Sequence, residues 1–152
     1  LSTVAKAIRE GAFILTNFPF GPPDRPDQPG PLPHIAYCLG VRSIGRGSEL
    51  ILAYTSSGPW RPPGRTLPLG IIEFDRAAAR ALNQIPFHLD LRVLARVPPV
   101  AAWLPRLNTP GFGIIAWADA ATRDRIAAEA SRLAARRPEV IEVRGVRAPP
   151  RS

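Results

Sequence analysis

At 152 residues with a net charge of +8, the chain is long enough for one domain that buries its own core without staples. A single cysteine, Cys38, excludes an intramolecular disulfide and a multi-cysteine zinc site. No secretory leader and no apolar span of bilayer length is seen, so the cytoplasm is the expected location. Nearly all of the basic charge is arginine, with Lys6 the only lysine. Arginine forks match phosphate oxygens, which favours an anionic partner, nucleic acid first.

In chain order, Ser2 to Glu10 is predicted as a short helix, with Ser2 as its cap and Gly11 as its stop. A strand is expected from Ala12 to Phe18, closed by Phe18-Pro19-Phe20, and a loop rich in proline and glycine follows. The nearly continuous apolar run from His34 to Val41 predicts a second strand, with Cys38 as a small core hydrophobe within it. Residues 42–48 form the expected hairpin link to a third strand over 49–54. Another short strand over 69–73 precedes a helical turn capped by Asp75.

The second half continues in the same style. Phe87 to Val97 alternates imperfectly and is predicted as one strand or two short ones, with Phe87, Leu89, Leu91 and Val93 sharing one face and His88, Asp90 and Arg92 the other. A further strand is expected over 111–117. Asp119 then caps a helix running to about Arg137, whose Ile126, Ala130, Leu133 and Ala134 form an apolar stripe. Residues 139–146 complete the pattern as a last strand before a Pro-rich tail. Short strands, long Pro/Gly loops and one late helix indicate a mainly β (α+β) domain. The expected form is a small, strongly curved barrel with a C-terminal helix packed on it.

The stretch from Leu50 to Trp60 organises the functional reading. It begins as a buried strand and turns abruptly into Thr55-Ser56-Ser57-Gly58-Pro59. Hydroxyls at the end of a buried strand are held on a rigid base while meeting solvent, as a site requires. The plainer reading is turn chemistry, with the hydroxyls bonding nearby backbone.

The order of these features resembles the PemK/MazF family of toxin–antitoxin ribonucleases. The residues carrying the resemblance are Gly11, Phe18-Pro19-Phe20, Pro33 with the strand His34–Leu39, and Ala53-Tyr54-Thr55-Ser56. The helix Thr122–Arg137, after a Gly-Phe-Gly strand, also fits, so the likeness spans about residues 10 to 137 of a single domain. It implies an SH3-like barrel, a homodimer, and an antitoxin partner whose acidic tail covers a basic groove. The implied activity is cleavage of single-stranded RNA without a metal or other cofactor, by attack of the neighbouring 2′-hydroxyl. Thr55 and Ser56 match the family's phosphate-holding element. Where the family carries Arg-Pro, this chain has Leu32-Pro33 followed by His34.

Several groups could stand in for that arginine. His34 suits an acid or base role, although a lone histidine at a strand start is commonly structural. Arg25 lies in a loop, where an arginine is usually just solvated. Trp60 with Arg61 and Arg65 makes a stacking and cationic surface suited to single-stranded RNA, or Trp60 is a loop anchor. His88, Asp90 and Arg92 could carry acid–base work, or be an ordinary half-exposed strand with charge pairs. Three classes of function therefore follow: a PemK/MazF-like endoribonuclease, a catalytically inactive nucleic-acid-binding module on the same scaffold, and a protein–protein adaptor.

Overall fold

The computed structural model describes residues 7–19, 29–30, 32–60, 66–136 and 141–144, the last four by backbone alone. Most of the expected N-terminal helix, Arg25, Arg61, Arg65 and the Pro-rich tail lie outside these residues. Among the described residues there are seven strands: β1 (Ala12–Thr16), β2 (His34–Ile44), β3 (Gly47–Ser57), β4 (Ile71–Phe74), β5 (Phe87–Val97), β6 (Ile114–Trp117) and β7 (Ile141–Arg144). Between them lie a short helix α1 (Arg76–Arg80) and the long helix α2 (Ala120–Ala135). Six strands form an antiparallel sheet in the order β4-β5-β3-β2-β1-β6, and β7 adds to β5 in parallel. The mainly β class with a late helix is therefore as expected.

The edge of β5 is shared. Its first half, from Phe87 to Asp90, pairs with β4, and its second half, from Val93 to Arg96, pairs with β7. Between the halves lies a wide bulge. Ala53 pairs with Leu94, yet the next residue, Tyr54, pairs with Asp90, so Leu91, Arg92 and Val93 have no partners on β3. Such an insertion bends the strand and increases its twist.

The bulge also overturns the expected alternation. Phe87, Leu89 and Leu91 join one core cluster, whereas Val93, Ala95 and Val97 join the other. His88 and Asp90 keep the face opposite Leu89, but the run of one parity ends at the bulge. Other boundaries shift for local reasons. β3 runs on to Ser57 because its last four residues pair with Phe87–Asp90, so Thr55 and Ser56 are strand residues. β1 stops at Thr16 because the next amide, Asn17 N–H, turns away to donate to the Trp103 carbonyl at 2.7 Å. The hairpin turn shrinks to Gly45-Arg46, with Gly45 at φ +56°, a conformation that glycine takes without a Cβ clash. Gly111, Phe112 and Gly113 all have positive φ, which delays β6 to Ile114.

Strand alternation divides the core in two. Ile14, Ala36, Cys38, Leu50 and Leu52 face a cluster closed by Trp103, Leu104 and Leu107 of the β5–β6 connection. That proline-bounded connection is tied down by Thr16 Oγ1, which donates to the Trp103 carbonyl at 2.9 Å, and by Asn17 Nδ2, which donates to the Ala102 carbonyl at 3.0 Å. The opposite cluster holds Phe13, Tyr37, Ala53, Phe74 and Phe87, covered by Ile126 and Leu133 of α2. Of the predicted helical stripe, Ala130 is half-buried and Ala134 is exposed.

An aromatic trio joins distant strands in this second cluster. Phe13 of β1 meets Phe74 of β4 at 6.3 Å and Phe87 of β5 at 5.7 Å, and Phe74 stacks on Phe87 at 4.5 Å. The sheet must curl to bring β1 to β4. Asn83 Nδ2, in the turn after α1, reaches the Ile115 carbonyl on β6 at 3.2 Å, so the two edges approach each other. No ladder joins β4 to β6 among the described residues, and the curled sheet is not hydrogen-bonded into a closed barrel.

α2 is seated by polar anchors as well. Asp119 caps it by accepting the Thr122 N–H at 2.8 Å. Glu129 accepts the Gly70 N–H at 2.8 Å and pairs with Arg132. Gly70 sits at φ +94°, and a Cβ there would lie 3.1 Å from both Arg92 Cγ and Leu133 Cδ2. Only glycine accommodates that approach without displacement. Burial pushes the Glu129 carboxyl up, but the Gly70 N–H and Arg132 outweigh it and hold its pKa below the usual value.

Two predictions follow from this packing. Phe13→Ala removes the ring that links β1 to β4 and is expected to cost about 3–5 kcal/mol of stability in urea unfolding. Burial also pushes the Cys38 thiol up to about 12, outweighing a smaller lowering effect from the Gly40 backbone. A raised folded-state pKa gives stability that is present below the unfolded value and lost as pH rises toward 12. Cys38→Ala should therefore flatten the fall of melting temperature between about pH 9 and 12, with part of the slope left to Tyr37, which burial also raises to about 12.

Candidate functional site

The ends of β1 and β3 and the starts of β2 and β5 come together at one end of the sheet. There they border a cavity of about 540 Å³ whose lining includes His34, Ile35, Thr55, Ser56, Gln84 and Phe87. The turn at Asn83–Ile85, following α1, overhangs it. His34, Thr55 and Ser56 all border this hollow, but Thr55 projects from the opposite face of the sheet to His34 and Ser56, so the expected imidazole and pair of hydroxyls do not share one face. Pro33 lines the same space, and Leu32 beside it is 67% exposed.

The two hydroxyls differ in what they can do. Thr55 is buried, and its Oγ1 donates to the Ile35 carbonyl across the strand pair. That bond uses the Thr55 proton to fix β3 against β2, which is the plainer reading of this residue. Ser56 is half-buried. By strand alternation it shares the face of Tyr54, whereas Thr55 shares that of Ala53. His34 has the parity of Ala36 and Cys38, hence the face of Ser56. Its ring lies 6.0 Å from that of Tyr54, which in turn lies 5.5 Å from Phe18. Thr16 is the register partner of His34 on β1.

Gln84 was not foreseen from sequence. Its Nε2 is buried and has no hydrogen-bond partner among the described residues, though it lines the cavity. A buried amide without a partner carries a desolvation cost. The only sequence signal was the Asn83-Gln84 pair after a helical turn. Asn83 at φ +56° makes the sharp reversal that turns Gln84 inward.

Beyond Ser56, the sheet carries a second polar group. His88, Glu73 and Asp90 lie on β5 and β4, with Ser56 opposite His88 and Glu73 opposite His88 on its other side. His88 Nδ1 lies 3.0 Å from the Gly58 carbonyl. A carbonyl only accepts, so Nδ1 carries the proton in this contact. Trp60 is held beside it: its N–H donates to Glu73 Oε2 at 3.1 Å, and its ring meets His88 edge-on at 5.6 Å. Arg92 lies 4.9 Å over the Trp60 ring. Trp60 is thus an anchor for the loop as well as an aromatic surface.

Asp90 and Arg92 have a structural task. Asp90 Oδ1 accepts the Arg92 backbone N–H at 2.9 Å, and the two side chains form a bidentate pair at 3.0 Å. The carboxylate therefore closes the bulge from within, and the hydrogen bonds it accepts from the Arg92 guanidinium hold that group more firmly protonated, against the opposing effect of burial. Arg92 is not brought to the cavity, and no guanidinium lines it among the described residues. Arg25, Arg61 and Arg65 lie outside those residues. No group of three or more His, Cys, Asp or Glu side chains is placed to hold a metal ion among the described residues, and no helix among them is long and apolar enough to cross a membrane.

No family model, no curated protein and no solved structure matches this chain.

The bulge makes a direct prediction. Asp90→Ala leaves the half-buried Arg92 N–H without its acceptor and should cost about 1 kcal/mol in denaturant unfolding, with Asp90→Asn recovering part of the loss.

Proposed function

We propose that the protein is an endoribonuclease that cleaves single-stranded RNA without a metal, built on a PemK/MazF-like, SH3-like barrel scaffold. The observation that carries this reading is the shared cavity of His34, Ser56 and Gln84 at the end of the sheet. Transesterification of RNA needs an acid–base group, donors for the charge that develops on phosphorus, and a place for the phosphate. His34 serves the first need. Gln84 and the Ser56 hydroxyl serve the second, in place of the absent family arginine. Thr55 holds the two strands that carry them. The aromatic side chains Tyr54 and Trp60 flank this end of the sheet and suit stacking of unpaired bases.

The net charge of +8 supports an anionic substrate. The same resemblance proposes a homodimer, an antitoxin partner with an acidic segment laid over the mouth, and action in the cytoplasm, where RNA is met. A second reading, binding of RNA without cleavage, is favoured by one observation: no guanidinium lines the cavity among the described residues.

Incubation of the purified protein with a fluorescent single-stranded RNA in EDTA tests the proposal. Cleavage to fragments with a 2′,3′-cyclic phosphate is expected. His34→Ala should lower the rate by about 10²–10⁴-fold and Gln84→Ala by a smaller factor. Thr55→Val should act mainly on stability. RNA retained in a salt-sensitive complex but left intact would establish the binding reading instead, and failure to retain RNA at low salt would exclude both.

A further inference from the structure

A row of polar side chains crosses the sheet on one face. Thr16 pairs with His34, Ser56 pairs with His88, and His88 pairs with Glu73. The link between the two halves is the hairpin of β2 and β3, in which Ala36 pairs with Tyr54. Continuing that register by two residues brings His34 level with Ser56. The Thr55 hydroxyl bond to the Ile35 carbonyl supports it, since it joins the intermediate pair of residues. Directly opposed residues share a face. The face is the same throughout, because each of these residues alternates with members of the second core cluster, namely Phe13, Tyr37, Ala53, Phe74, Phe87 and Leu89.

His34 and His88 therefore stand on either side of Ser56, on strands two apart. At about 4.8 Å per strand, their Cα atoms are roughly 10 Å apart. That span accepts a phosphodiester with a hydrogen bond of about 2.8 Å to an imidazole on each side. The two rings differ in preparation. The Gly58 carbonyl holds the proton on His88 Nδ1, so in the neutral ring Nε2 is the nitrogen with a lone pair. No other polar contact engages this ring among the described residues. Glu73 faces His88 from β4, and Asp90 with Arg92 lies beyond it on β5, but Glu73 is taken by the Trp60 N–H and Asp90 by Arg92. Trp60 screens one flank of the ring, and His88 as a residue is buried, 9% exposed, beside the cavity rather than in its lining.

We infer that His88 is the general base and His34 the general acid of an imidazole pair that grips one phosphodiester of RNA over Ser56. This inference rests on the ribonuclease reading and specifies its machinery. His88 Nε2 takes the proton of the 2′-hydroxyl as O2′ bonds to phosphorus. The P–O5′ bond breaks, and O5′ receives a proton from the imidazolium of His34. The products are a 2′,3′-cyclic phosphate and a free 5′-hydroxyl, with His88 left protonated and His34 neutral. DNA, lacking the 2′-hydroxyl, binds without being cut.

His88→Asn is the informative variant, because its amide reproduces the Nδ1 donor to Gly58 while removing Nε2. Its rate on a single-stranded RNA should fall by about 10²-fold or more, with the acidic limb of the wild-type bell-shaped pH profile lost. His34→Asn should lose the alkaline limb instead. A His88→Asn enzyme that keeps both limbs, whatever its rate, would overturn the assignment. A second measurement does not depend on cleavage. In the wild-type protein, imidazole signals of both histidines should shift in NMR titration with a 2′-O-methyl dinucleotide, and a shift of His34 alone would sink the pair. If RNA stays intact while both signals move, the cleavage reading fails and the two-imidazole phosphate site stands.

Discussion

The bidentate pair of Asp90 and Arg92 is the constraint on which the rest of this molecule depends. Three residues of β5 have no partners on β3, and a strand cannot carry such an insertion unless its freed amides find acceptors. Asp90 supplies one to Arg92, and the Gly70 carbonyl supplies another to Leu91 at 2.8 Å. Because the insertion is held, the start of β5 pairs with the end of β3 in one register while its second half pairs in another. The same bend frees the outer edge of β5 for two different strands, β4 and β7. It also lets the sheet curl far enough for Phe13 to touch Phe74.

The candidate site is positioned by that register. Without the bulge, His88 would not lie opposite Ser56, and Gly58 and Trp60 would not meet the His88 ring. The result is a line of polar side chains across the sheet, at the end where strands stop and a cavity opens beside His34 and Ser56. Strand ends suit such a site because the ladder no longer consumes every backbone group, while the paired residues one step inward hold the side chains in place. Thr55 illustrates the division of labour. Its hydroxyl is spent on locking β2 to β3, and the neighbouring Ser56, on the other parity, is the one left for a ligand.

Several elements were legible because local chemistry alone decides them. Asp119 and a periodic apolar stripe define α2, and its two buried residues, Ile126 and Leu133, are seven apart on that stripe. Cys38 in an unbroken apolar run is a core residue, as expected. The strand starting at Phe87 was legible too, but its continuous alternation was not, since nothing in Leu91-Arg92-Val93 marks a bulge. The marker is the carboxylate two residues before Arg92, and its meaning depends on which strand lies alongside. The extension of β3 through Thr55-Ser56-Ser57 was hidden for a similar reason. Hydroxyl residues before Gly-Pro look like a turn, and only the partner strand makes them part of a ladder.

The amino-acid order by itself determined the mainly β class, the late capped helix, the net positive charge and the succession of strands over the described residues. These follow from periodicity, capping and burial, which act over a few residues. What only tertiary structure decided is the pairing of Ser56 with His88, the inward turn of Gln84 and the commitment of Asp90 to a bulge. Each depends on contacts between segments roughly thirty or more residues apart or on a shift of register, and a shift of register leaves composition and spacing unchanged while it changes every neighbour.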